Sequence, residues 1–152
     1  MVVDTVMYTL HTAFGALWAG SVLFVVLAVL PLAMNAKIDP GAFASVVSKL
    51  QWITRISAVV LLATGGHLAG TRYTAERLTG TTPGYVVLAM LALWLLLAAV
   101  VEIGSARANR GLAEDKIREP ARNARPFYLL GAVFAVGLLV TAGLLGEPSL
   151  IL

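Results

Sequence analysis

Cysteine is absent from these 152 residues, and with it go disulfides, cysteine-ligated zinc, iron–sulfur clusters and thiol catalysis. Charge is also scarce. Asp, Glu, Lys and Arg together make up 12% of the chain, about half of the roughly 25% found in soluble domains. Hydrophobic residues reach 59% and the mean hydropathy is +0.88. So little polar surface cannot cover the molecule in water, and the chain reads as a membrane protein of one domain. No serine sits in a G-x-S-x-G elbow, and neither an H-E-x-x-H motif nor a phosphate loop occurs. No apolar span holds two carboxylates for acid–base work. None holds a lysine, which argues against a retinal Schiff base. Histidine occurs twice, as His11 and His67.

What is abundant is apolar length. About 20 apolar residues are needed to cross the hydrocarbon core as a helix, and four stretches meet that length: 6–34, 52–71, 84–103 and 127–145. The first has no basic segment ahead of it and no small-residue cleavage site after it, so it is expected to be a retained helix. Asp39 before Pro40 is a helix-start signal, so the second helix is expected to begin there and project beyond the bilayer. Thr82 before Pro83 marks a similar start for the third. The segment 105–125 reads as a polar connector, with at most a short amphipathic helix around 112–117.

The pI near 9.6 reflects loop lysines and arginines, a pattern of membrane topology and not of nucleic-acid binding. Lys37, Lys49, Arg107, Arg110, Lys116, Arg118, Arg122 and Arg125 fall in the first and third loops, against Arg72 and Arg77 on the other side. The expected fold is therefore an all-α, antiparallel four-helix bundle, multi-pass in a prokaryotic cell membrane, with both termini outside.

Four ionisable side chains fall within the spans, where such groups are costly and point to function. Arg55 and Glu102 both lie near inner helix ends and are expected to pair as a structural salt bridge. His11 and His67 lie at similar depth in the outer third of two antiparallel helices, and if these helices are neighbours with both histidines inward, both imidazoles could reach one metal. Phe14 and Trp18 offer walls for a flat macrocycle, and Gly15, Ala63, Gly66 and Gly70 offer clearance. Thr64, Thr71 and Tyr8 are candidates to orient the rings. A b-type haem ligated by His11 and His67 suits this ligand count. Copper held by Met7, His11 and His67 is a second reading, since Met7 and His11 are four residues apart on one helix face. A third gives the histidines only structural hydrogen bonds, within a subunit of a larger complex. In the haem reading, one electron passes to or from a quinone or an extracellular redox protein. The bilayer is the constant partner, and a homo-oligomer is compatible with the small-residue faces.

Two stretches bear a family likeness. "HTAFGALWAG" followed by Pro31, with His11, Trp18 and Gly20, resembles the first helix of CopD-type copper-resistance membrane proteins. "RISAVVLLATGG", with Arg55, Ser57, Thr64 and Gly65, resembles a following helix of that group. The same broad group is similar to the four-helix protoporphyrinogen oxidases, whose histidines are associated with haem b. That resemblance implies His11 as a haem ligand.

Overall fold

The computed structural model describes residues 1–147, and every regular element among them is helical. Helix α1 spans Val2–Met34, α2 Pro40–Arg72, α3 the short Ala75–Gly80, α4 Thr82–Leu112 and α5 Arg118–Gly146. The four long helices are each long and apolar enough to cross a membrane.

Local chemistry explains the boundaries. The Asp39 carboxylate accepts from the Ala42 N–H at 3.0 Å and Pro40 opens α2, as the sequence predicts. For α4 the cap is Thr81, one residue earlier than expected. Its hydroxyl accepts from the Gly84 N–H at 3.2 Å, and Thr82 and Pro83 form the first turn. The α1–α2 connection closes with Ala36 at φ 53 and the Lys37 N–H donating to the Leu32 carbonyl at 2.8 Å, a left-handed helix stop. Within α1, residues Val25–Val29 form a π-turn. Pro31 lacks an N–H and its ring would press on the Leu27 carbonyl, so the helix widens by a residue just before it.

The connector expected at 105–125 is mostly helix instead. Helix α4 continues to Leu112, α5 begins at Arg118, and the expected short helix at 112–117 is the turn between them. The reason lies in packing. Val101, Ala108 and Leu112 bury one stripe of α4 against Ala121, Ala124 and Tyr128 of α5. Small residues let the two backbones close. A Cβ at Gly111 would stand 2.5 Å from Pro120 Cγ, and one at Gly104 would stand 3.0 Å from Tyr128 Cε1. The Ser105 and Tyr128 hydroxyls meet at 3.0 Å inside this interface.

Contacts run around a ring: α1 with α2, α2 with α4, α4 with α5, and α5 with α1. Burial is uneven along it. The core extends through Trp18–Ala33, Phe43–Leu61, Leu97–Leu112 and Ala121–Ala135. Residues 1–17, 65–72, 85–96 and 136–147 contain no buried side chain. One half of the bundle is therefore tightly packed, and the half that carries both histidines is loose.

Candidate functional site

The site lies on the seam between α1 and α2. On α1, Asp4, Met7, His11, Phe14, Gly15 and Trp18 turn inward while most residues between them are exposed. Their spacing of three and four residues is the pattern that keeps one helix face against a neighbour. Helix α2 answers with buried Leu50, Thr54, Ser57, Leu61 and Thr64 at the same alternation. Most polar side chains on this seam find partners across it, as expected where water is scarce, while the Ser57 hydroxyl is buried without one. The Trp18 indole donates to Thr54 Oγ1 at 3.0 Å.

His11 Nδ1 lies 2.9 Å from Thr64 Oγ1, and the Thr64 hydroxyl stands 2.7 Å from the Val60 carbonyl. A hydroxyl has one hydrogen. The Val60 carbonyl can only accept, so the Thr64 hydrogen goes there and its oxygen accepts from His11 Nδ1–H. The remaining ring nitrogen, Nε2, then carries the bare lone pair of a neutral imidazole, and no described residue bonds to it. The ring edge rests on Gly65, where a Cβ would come within 2.9 Å of His11 Cε1.

His67 is set differently. Its Nε2 meets Asp4 Oδ1 at 3.2 Å, and an ionised carboxylate can only accept, so this nitrogen carries its proton toward Asp4. An open cavity of about 460 Å³ lined by Met1, Asp4, Thr5, Thr71 and Arg72 lies beside the pair. The two imidazoles share the seam but not a partner. Asp4 and His11 are seven residues apart, about 10 Å along a helix.

Of the residues singled out from sequence, Met7, His11, Phe14, Gly15, Trp18 and Thr64 all face the seam. Ala63, Gly66 and Gly70 lie on the exposed face of α2, with nothing within 4 Å of a Cβ at either glycine. Thr71 gives its hydroxyl hydrogen to the His67 carbonyl and not to a ring. Tyr8 lies under the Arg72 guanidinium at 5.9 Å. Two seam residues were not anticipated as site residues. Asp4 could have been found by stepping seven residues back from His11 along one helix face. Gly65 adjoins Gly66 in the sequence, and only the rotation of α2 brings the first and not the second against His11.

Near the middle of α2, Arg55 Nε donates to Glu102 Oε1 at 2.7 Å and Nη2 to Oε2 at 3.0 Å, the expected salt bridge. Gln51 adds a bond to Oε2 at 3.1 Å, so the carboxylate is held from two turns of α2.

The donor set can be weighed against each metal group. Among the described residues no three His, Asp or Glu side chains gather around one point. A haem needs only one or two protein ligands, and His11 Nε2 fits that role. A macrocycle clamped between His11 and His67 does not fit the seam as it stands. The His11 ring occupies the gap at Thr64–Gly65, and His67 Nε2 is committed to Asp4. Compared with family models, curated proteins and solved structures, the chain matches none.

Proposed function

We propose that this chain is a multi-pass protein of a prokaryotic cell membrane that carries a b-type haem through His11. Its use is one-electron exchange with a quinone or an extracytoplasmic redox protein. The four long helices are read as an antiparallel bundle with both termini outside, because the basic loops belong on the cytoplasmic side. This places His11 and His67 near the outer face. The observation that carries the reading is the hydrogen-bond chain from His11 Nδ1 through Thr64 to the Val60 carbonyl. It orients a neutral imidazole and leaves Nε2 free, the arrangement second-shell partners give to metal-ligating histidines. Haem, when bound, supplies the iron couple. The chain contributes ligand orientation and the loosely packed half of the bundle around His11. His67 becomes a second ligand only by leaving Asp4.

Copper is the second reading, favoured by Met7, which stands half-buried one turn from His11 on the same face. Thioether and imidazole together suit Cu(I).

An absorption spectrum of detergent-purified protein, with metal analysis, tests both. A Soret band lost in His11→Ala supports haem on His11. If His67→Ala also abolishes the low-spin spectrum, both histidines ligate; if it leaves the band intact, His11 acts alone. A colourless protein with stoichiometric copper supports the copper reading. A protein with neither sinks both and leaves the histidines as packing elements of a structural subunit.

A further inference from the structure

The hairpin of α4 and α5 carries a second feature, independent of the histidines. Five arginines lie on it, Arg107, Arg110, Arg118, Arg122 and Arg125, and all are exposed. None forms an ion pair among the described residues, where the pairs are Met1 with Asp4, Arg55 with Glu102, His67 with Asp4, and Lys116 with Glu114 and Glu119. Apart from Glu102, which pairs with Arg55, the carboxylates of the hairpin (Glu114, Asp115 and Glu119) sit at its tip. There Lys116 Nζ stands 2.6 Å from Glu114 and 3.9 Å from Glu119. The arginines themselves are in none of these pairs.

Their positions are ordered. Arg118, Arg122 and Arg125 fall at intervals of four and three residues, one stripe of a helix. Phe127, two residues past Arg125, is turned to the other side of the helix, and there the Arg107 guanidinium of α4 lies over its ring at 5.6 Å. The contact of Gly104 with Phe127 and of Gly111 with Pro120 sets Arg107 level with Arg125, and Arg110 level with Arg122. Arg118, Arg122 and Arg125, spaced four and three residues apart on one helix face, repel one another as like charges, and an anion offsets that repulsion. The apolar runs stop at 103 and resume at 127. At 1.5 Å per residue, Arg107 and Arg125 stand about 3–6 Å beyond the hydrocarbon core, inside a headgroup layer several ångströms thick. Arg110 and Arg122 stand one turn further out.

We infer that the stripe of Arg118, Arg122 and Arg125 binds the phosphodiester headgroups of anionic phospholipids in the adjacent leaflet. Guanidinium groups match phosphate oxygens in geometry as well as charge.

The test uses the full chain in bilayer nanodiscs of phosphatidylcholine mixed with phosphatidylglycerol, followed by native mass spectrometry of retained lipid. Wild type is expected to retain phosphatidylglycerol over phosphatidylcholine. The triple change Arg118→Gln, Arg122→Gln, Arg125→Gln is expected to weaken that retention about 100-fold, at about fivefold per arginine. Lysine at the same three positions should keep most of it, and Arg72→Gln with Arg77→Gln at the other end should change nothing. Equal retention of the two lipids overturns the inference, as does a triple-Gln protein of native helix content that still selects phosphatidylglycerol. Displacement of the lipid by an equimolar soluble polyanion also overturns it and assigns the face to a soluble partner.

Discussion

At the scale of single residues, the seam depends on Thr64. Valine has the same shape but cannot accept from His11 Nδ1–H. Thr64→Val should cost about 1–3 kcal/mol through the imidazole donor left unbonded, and Thr64→Ser should retain most of that. Thermal unfolding in detergent measures both. Any bound-metal spectrum should shift with the valine variant alone. Gly65→Ala is the steric counterpart. Its methyl would stand 2.9 Å from His11 Cε1, so the ring must turn off Thr64, at an overpacking cost of about 1–3 kcal/mol. Ligand binding through His11 should fall while helix content by circular dichroism stays unchanged. Gly66→Ala, with open space around it, is the control. The contrast between adjacent glycines also marks how far the sequence could be read. That His11 needs small residues nearby is legible from the apolar context. Which of Gly65 or Gly66 meets it depends on the rotation of α2 about its axis, and one residue is 100° of that rotation.

At the scale of elements, the Arg55–Glu102 bridge joins α2 to α4, yet the two side chains are 57% and 35% exposed. Exposure limits the coupling, even for a bidentate pair. A double-mutant cycle of Arg55→Gln and Glu102→Gln in detergent should show only weak coupling, and a coupling as large as that of a buried pair would mean the two groups are shielded from solvent. In α1 the π-turn at Val25–Val29 follows from Pro31. Pro31→Ala restores the missing N–H and should let α1 regularise, changing the rotation between its two ends. That is read as altered cross-linking between α1 and α2. Helix starts at Asp39 and Thr81 were legible to within a residue because caps are local. The extent of α4 and α5 was not. Ser105 to Arg125 is polar enough to read as loop, and its helical state is set by the small faces of Gly104, Ala108, Gly111, Ala121 and Ala124 closing on each other.

At the scale of the whole molecule, the absence of cysteine is an experimental advantage, since any introduced thiol is unique. With the topology proposed above, Thr79→Cys should react with a membrane-impermeant maleimide on intact cells, and Ala113→Cys should react only after permeabilisation. The reverse pattern would invert the topology. The unequal packing of the two halves has its own consequence. Core residues crowd the half with the long hairpin, so amides there should exchange with solvent more slowly than those near His11 and His67, measured by hydrogen exchange in detergent. A less tightly packed half around the histidines suits a site that must admit a bulky group.

The sequence by itself determined that this is a membrane protein of four apolar helices, because composition and span length alone decide what can be dissolved in lipid. It also placed both histidines on neighbouring helices near one end, since depth follows from counting residues. Only the tertiary structure decided what each imidazole does. Thr64 holds His11 with a free Nε2, and Asp4 takes Nε2 of His67, because hydrogen-bond partners depend on how two helices are rotated and slid against each other. Residue spacing fixes the face of each helix, but the packing between helices fixes what that face meets.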